Sequence, residues 1–154
     1  MIFLNSKKKL SFLIIPLPIL VGGLSSFLSG NMADGTVKPP LTPPDWVFPV
    51  VWAILYLMMG IAAYLVLKSN DYKINDGIKY FFYQLAVNFV WPIVFFRFEM
   101  YATAVVVLII LILLTVATIC EFKKASKTAA WLLVPYLVWL LFALYLNIGV
   151  AVLN

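Results

Sequence analysis

Long apolar stretches separated by short polar ones dominate this chain. Five stretches hold about 19 or more residues each, close to the 20 or so that cross the hydrocarbon core of a bilayer as a helix. They cover residues 10–29, 46–67, 78–96, 101–120 and 129–153. The run from Val105 to Leu114 lacks the alternation of a membrane β-barrel strand. The pattern therefore predicts an all-α membrane protein, a single domain over residues 1–154 built as a bundle of five transmembrane helices.

The first stretch resembles a secretory signal peptide at its start, because Lys7, Lys8 and Lys9 precede it. Its apolar part, however, runs for about 20 residues, and no small-residue cleavage site follows. We therefore expect a retained helix. Pro16 and Pro18 should loosen its first turns or delay its start.

Small residues recur along this first stretch. Gly22, Ser26 and Gly30 are four apart and would share one helix face. Such a face suits close packing against another helix. We expect packing within the bundle, and a homodimer stays open as the other use of this face.

Composition narrows the class of protein. Hydrophobic residues make up 65% of the chain and charged residues 11%, whereas a soluble domain carries about 25% charged residues. These values exclude a soluble globular domain and a disordered chain. The absence of His and the single Cys exclude most metal sites, a His-ligated haem, Ser-His-Asp or Cys-His catalysis and a disulfide framework.

The basic residues are distributed unevenly among the connections. Nine of the eleven lie at the N-terminus or in the second and fourth connections, which five spans place on one side. They are Lys7, Lys8, Lys9, Lys68, Lys73, Lys79, Lys123, Lys124 and Lys127. The other side has Lys38 and Arg97. The positive-inside rule then predicts a cell-membrane protein with a cytoplasmic N-terminus and an outer C-terminus. The surplus of positive charge is thus explained by the orientation of the protein in the lipid bilayer, which is its expected partner. No nucleic-acid partner is expected.

The first connection, residues 31–44, is the longest and reads NMADGTVKPPLTPP. Its prolines fix φ and cannot donate hydrogen bonds, so Lys38 to Pro44 should be extended and stiff. Thr42 and Asp45 have the spacing of a capping box for the second helix. The segment is either a rigid turn or a lid over the outer mouth of the bundle, and both interpretations carry equal weight. The lid residues would be Lys38, Pro39, Pro40, Leu41, Pro43 and Pro44.

Aromatic and amide side chains recur at helical spacing inside three of the spans. The second span carries Phe48, Trp52, Tyr56 and Met59; the third Gln84, Asn88, Trp91 and Phe95; the fifth Trp139, Ala143 and Asn147, with Tyr136 one turn before Trp139. Polar side chains within spans usually face the protein interior. Such faces suit a flat, largely apolar ligand with a polar edge, since rings stack on a flat π-system and amides bond to carboxylates or carbonyls.

A purely structural interpretation of these faces has equal weight. Membrane tryptophans and tyrosines most often form interfacial belts, as we expect for Trp46, Trp131 and Tyr101 near the span ends. Gln84 and Asn88 would then only hold helices together, at about 0.6 kcal/mol per hydrogen bond.

Three segments together resemble one known family. The run KPPLTPPDWVFPVVWAILYLMMG (residues 38–60) resembles the proline-rich loop and second helix of the TspO/MBR family, the tryptophan-rich sensory proteins and translocator proteins. QLAVNFVWPIVFF (84–96) and AAWLLVPYLVWLLFALYLNIGVAVLN (129–154) are similar to its third and fifth helices. The five spans and the chain length match as well.

The resemblance implies a function. Family members bind protoporphyrin and related tetrapyrroles, and some bind sterols and drug-like aromatic molecules, in a pocket among the helices that the first loop covers. Some bacterial members degrade protoporphyrin in light with two pocket tryptophans, which match Trp52 and Trp139. Asn88, Ala143 and Asn147 fall on family pocket positions. The expected ligand-binding residues are Trp52, Tyr56, Gln84, Asn88, Trp91, Phe95, Trp139, Ala143 and Asn147, with no metal ligands.

The chain also departs from the family pattern. Leu41 stands where the family often has an aromatic residue, and a Trp-Tyr pair usual earlier in the loop is absent. No basic residue follows Lys127, so the sterol motif of the fifth helix is not present.

Two functions follow from the resemblance. The first is a porphyrin receptor or carrier, in a transport or sensory role, that needs no cofactor. The second is an enzyme for which the porphyrin is a substrate, degraded in light with Trp52 and Trp139 as redox-active rings. A structural or ion-pathway protein is the third interpretation, although no acid or base lies at mid-span to relay protons.

Overall fold

A computed structural model describes residues 11–69 and 74–154 of the chain. Within these ranges it contains five α-helices and no strand. They are α1 (Leu17–Ser29), α2 (Val47–Lys68), α3 (Ile74–Pro92), α4 (Tyr101–Ala125) and α5 (Lys127–Leu153), and α3 continues as a π-helical turn over Ile93–Arg97. The predicted all-helical class and the count of five agree with these ranges. The basic residues Lys7, Lys8, Lys9 and Lys73 lie outside them.

Four of the described helices are long and apolar enough to cross a bilayer. They are the segments Val47–Lys68, Asp76–Arg97, Tyr101–Ala125 and Lys127–Leu153. Helix α1 has 13 residues, about 20 Å at 1.5 Å per residue, which is less than a hydrocarbon core. The delay predicted from its prolines is confirmed, because Pro16 caps α1 and Pro18 lies in its first turn.

Helix α1 packs through a different face from the predicted one. Gly22, Ser25 and Ser29 are buried, whereas Ser26 and Gly30 are exposed. The prediction of a Gly22, Ser26 and Gly30 face was wrong, because α1 ends at Ser29 and its inward face follows the three- and four-residue steps from Gly22 to Ser25 and Ser29. The Ser25 hydroxyl donates to the Phe89 carbonyl at 2.7 Å and so joins α1 to α3.

Helix α4 packs against α5 and α3, while α5 also packs against α2 and α3 against α1. The fully buried side chains between them are mostly aliphatic or aromatic. They include Met59, Ala62, Phe81, Leu108, Leu111, Phe122 and Leu140. The interior is therefore closely packed, and the polar groups within it must find partners there.

The segment from residue 30 to 46 joins α1 to α2 without helix. The predicted extended run from Lys38 to Pro44 is interrupted by a turn at Pro40 and Leu41. Leu41 has φ of 68°, so the chain turns there. The capping box was wrong as well: the Thr42 hydroxyl donates to the Pro39 carbonyl at 2.6 Å, and the Asp45 carboxylate pairs with the Lys38 ammonium at 2.9 Å. Both side chains are thus engaged within the loop, and α2 begins without a side-chain cap.

Candidate functional site

A chain of buried hydrogen bonds joins the middle of α2, α3 and α5. The Tyr56 hydroxyl donates to Asn88 Oδ1 at 2.8 Å, and Asn88 Nδ2 donates to the Tyr136 hydroxyl at 2.7 Å. The Tyr136 hydroxyl in turn donates to Gln84 Oε1 at 2.9 Å. We call these four residues the polar chain. Its members satisfy one another, which is how polar groups in an apolar interior avoid the cost of desolvation.

Five aromatic rings lie together at the polar chain, and two of them belong to its tyrosines, Tyr56 and Tyr136. We call Phe48, Trp52, Tyr56, Tyr136 and Trp139 the aromatic cluster. Trp52 stacks on Tyr56 with ring centroids 5.4 Å apart and meets Tyr136 and Trp139 edge-on at 6.3 and 6.5 Å. Phe48 meets Trp139 edge-on at 5.9 Å. The four-residue spacing on α2 and the three-residue spacing on α5 bring these rings to facing sides of the two helices.

The Trp139 indole Nε1–H has no acceptor among the described residues, although the atom is buried. Buried donors without a partner are rare in folded proteins. Leaving one unsatisfied costs about 1–3 kcal/mol. The cluster therefore contains one polar group that a ligand acceptor would stabilise.

A groove of about 620 Å³ lies between α2 and α5 beside this indole. It is lined by Val51 and Leu55 from α2 and by Val134, Pro135, Val138, Trp139 and Phe142 from α5. Its volume is within the roughly 300–1,000 Å³ of small-molecule sites. Its lining side chains are apolar apart from the Trp139 indole, whose N–H is itself buried, so the groove suits a largely apolar ligand.

A second aromatic group lies nearer the end of the bundle that carries the loop. The Trp91 indole donates to Asn147 Oδ1 at 3.0 Å, and Asn147 Nδ2 donates to the Tyr101 carbonyl at 3.0 Å. Trp91 stacks on Phe95 at 5.3 Å, and Phe95 meets Tyr101 edge-on at 5.1 Å. These side chains join α3, α4 and α5 with their hydrogen-bonding groups already paired.

The structure thus divides the predicted ligand-binding residues into two groups. Trp52, Tyr56, Gln84, Asn88 and Trp139 come together at the polar chain and the aromatic cluster. Trp91, Phe95 and Asn147 belong to the second group, and Ala143 is buried on α5 at 8% exposure. Both Trp46 and Trp131, assigned to interfacial belts, are more than two-thirds exposed.

Sequence reasoning left several neighbours out of the site. Tyr136 links both amides, yet it was noted only as a residue one turn before Trp139. The three-residue spacing of Tyr136, Trp139 and Phe142 is a signal that could have found them. Gly22 is also part of the site, because the Tyr56 ring occupies the space where its Cβ would be. No pattern within one helix could indicate that contact.

Comparison with known proteins identifies relatives along most of the chain. A family model described as the TspO/MBR family matches residues 14–153. A tryptophan-rich protein TspO from Chlorobaculum tepidum is 43% identical over 77% of this chain and 76% of its own length. The translocator protein of Ovis aries is 37% identical over 71% of this chain and 67% of its own. A tryptophan-rich sensory protein of Cereibacter sphaeroides is 36% identical over 79% and 75%.

Proposed function

Because this chain belongs to the TspO/MBR family of membrane proteins, we propose that it binds protoporphyrin-like tetrapyrroles at the aromatic cluster. Its role would be that of a receptor, carrier or sensor. Two of its relatives are named translocator protein and tryptophan-rich sensory protein, and these names denote transport and sensing. Loop residues Lys38, Pro39, Pro40, Leu41, Pro43 and Pro44 would close the site at one end.

The observation that carries this proposal is the buried Trp139 N–H, which has no acceptor among the described residues. A tetrapyrrole brings acceptors on a flat apolar ring, either carboxylates or ring nitrogens. A hydrogen bond from the indole to a charged acceptor contributes about 1.5–3 kcal/mol, and to a neutral one about 0.5–1.5. Binding would therefore relieve a cost that the free protein bears.

The neighbouring rings support the same class of ligand. Trp52, Phe48 and Trp139 meet edge-on or at an angle rather than in one closed stack, so ring faces can be shared with a flat ligand. Each aromatic contact contributes about 0.5–1.5 kcal/mol beyond its buried area. The polar chain behind them fixes Tyr56, on which Trp52 stacks.

A titration with protoporphyrin in the dark tests the proposal. We expect saturable binding with quenched tryptophan fluorescence, because Trp52 and Trp139 would contact the ligand. Trp131→Phe is the matched control, since Trp131 is 72% exposed at the opposite end of α5 from the loop. This variant should bind with wild-type affinity. Non-saturable uptake that also occurs in empty nanodiscs would contradict the proposal.

The orientation of the protein is part of the proposal. Lys68, Lys79, Lys123, Lys124 and Lys127 lie at the helix ends opposite the loop, whereas Lys38 and Arg97 lie on the loop side. The positive-inside rule then places the loop and Asn154 outside and the N-terminus in the cytoplasm of a cell membrane.

A reporter fused after Asn154 tests this orientation. We expect activity only from a reporter that works in the outer compartment, such as one that needs oxidising conditions. The same reporter fused in the polar segment after Lys68 should be silent, because that segment would be cytoplasmic. Cytoplasmic activity at Asn154 would invert the proposed topology.

Light-dependent degradation of the bound porphyrin is the second candidate. Trp52 and Trp139 lie 6.5 Å apart, and Trp52 stacks on Tyr56 at 5.4 Å. Oxidisable rings in contact with an excited ligand could donate an electron to it. No carboxylate, amine or thiol is among the residues of the cluster or the described lining of the groove.

A further inference from the structure

The loop between α1 and α2 is fastened to α5 at three successive points. The Asn154 side chain pairs with the Val37 backbone, donating to its carbonyl at 2.9 Å and accepting from its N–H at 3.0 Å. The Tyr145 hydroxyl donates to the Pro40 carbonyl at 2.7 Å. Pro39 packs where a side chain at Gly149 would be. We call these contacts the clasp.

The clasp closes the loop end of an aromatic row that leads to the site. The Trp139 and Phe142 rings are 5.6 Å apart, and Phe142 stacks on Tyr145 at 6.2 Å. Tyr145 holds the loop at Pro40. Opening the loop at this end of the row would therefore require breaking the clasp.

The opposite direction is obstructed by the packed interior. The polar chain joins α2, α3 and α5 with its hydrogen bonds made, and Met59, Phe81 and Phe122 beyond it are fully buried. Passage from the inner end would require breaking several buried hydrogen bonds at once.

The groove between α2 and α5 offers a third direction, from the side. Val138 at its surface is 61% exposed, whereas Leu55 at its floor is 4% exposed, so the groove leads from the outer surface of the helix pair to the core. Pro135 lies in the wall of the groove inside α5 and removes one backbone hydrogen bond there. On a membrane-spanning helix pair this surface faces lipid.

We infer that an apolar ligand with a hydrogen-bond acceptor, dissolved in the bilayer, reaches the aromatic cluster sideways through this groove while the clasp stays closed. The inference rests on the proposed porphyrin binding. The groove supplies the passage, and Trp139 in its wall joins the passage to the aromatic cluster, where the buried indole N–H has no acceptor among the described residues. The loop then acts as a fixed cover.

Rates of protoporphyrin binding to the full chain in nanodiscs test the inference. Val138→Trp fills the mouth of the groove, and Val106→Trp is its matched control, a valine 56% exposed on the lipid face of α4. Porphyrin absorbance gives the association and dissociation rates without interference from the added tryptophan. Should Val138→Trp fail to fold, Val51→Phe narrows the groove from the α2 side.

We expect Val138→Trp to slow association and dissociation alike, by about tenfold or more, since a blocked passage affects both directions. Val106→Trp should match wild type. Releasing the clasp with Asn154→Ala and Tyr145→Phe together should change both rates by less than about twofold.

Three results would overturn the inference. The first is unchanged rates in Val138→Trp. The second is faster dissociation alone in that variant, which would mean that Val138 contacts the bound ligand and does not border a passage. The third is faster association on release of the clasp. Each of them leaves porphyrin binding itself intact. Absence of saturable binding in wild type would instead overturn the proposed function, and the inference with it.

Discussion

Replacing Gly22 with alanine should lower the free energy of unfolding of the unliganded protein by about 1–3 kcal/mol, the usual cost of overpacking a core. A Cβ at Gly22 would overlap the Tyr56 ring. That ring cannot shift freely, because its hydroxyl bonds to Asn88 and its face stacks on Trp52. Equilibrium unfolding in detergent, followed by circular dichroism, measures the change.

The next residue along the chain provides the control. Gly23 has nothing within 4 Å of the position of an added Cβ. Gly23→Ala should therefore leave the free energy of unfolding unchanged or raise it by up to about 1 kcal/mol through helix propensity. Equal effects of the two substitutions would contradict the close contact of Gly22 with Tyr56.

The same substitution reaches the site through Tyr56. If Tyr56 moves, Trp52 loses the ring it stacks on, and porphyrin affinity should fall in Gly22→Ala but not in Gly23→Ala. Loss of stability without loss of affinity would mean that α1 supports the bundle and leaves the aromatic cluster undisturbed.

Gly22 also illustrates what one sequence can and cannot predict. The long helices follow from apolar runs, because a membrane span must satisfy its own backbone hydrogen bonds. The family resemblance, carried by three motifs in order, is confirmed. Which residues of α1 face inward could not be read from small-residue spacing, since the burial of Ser25 and Ser29 is determined by the position of α3.

The polar residues inside the spans were found by spacing, but their partners were not. Gln84 and Asn88 fitted two interpretations, helix contacts or ligand contacts, because one helix face says nothing about what lies opposite. The structure gives both amides tyrosine partners on other helices. Within the described ranges it gives the Trp139 N–H no acceptor, a difference that arises only from tertiary packing.

The loop departs from its prediction because of contacts with residues distant in the sequence. Four prolines favour extended backbone, yet Leu41 turns the chain at φ 68°. The hydrogen bonds of Val37 with Asn154 and of Pro40 with Tyr145 join residues more than 100 positions apart. These contacts outweigh the local preference for extended backbone, and a pattern of neighbouring residues cannot predict them. Leu41 itself is 81% exposed, so it does not stand in for the aromatic ring usual at that place in the family.

Replacing the tryptophans of the aromatic cluster with phenylalanine should separate binding from degradation. Phenylalanine keeps a ring, so Trp52→Phe should lower porphyrin affinity by at most about 1.5 kcal/mol, near tenfold. Trp139→Phe also removes the unpaired N–H, and should cost a further 0.5–1.5 kcal/mol or so. Dark titrations of the two variants measure this asymmetry.

Illumination at saturating porphyrin then distinguishes the two candidate functions. If an indole donates an electron to the excited ligand, the indole is oxidised and the porphyrin reduced, and phenylalanine is a far poorer donor. Bleaching should then collapse in Trp52→Phe or Trp139→Phe although the site remains full. Trp131 is 72% exposed on α5, so the Trp131→Phe variant should bleach the porphyrin as wild type does. Equal bleaching by all four saturated proteins would remove the enzymatic function and leave a receptor or carrier, because occupancy alone would then account for the fate of the pigment.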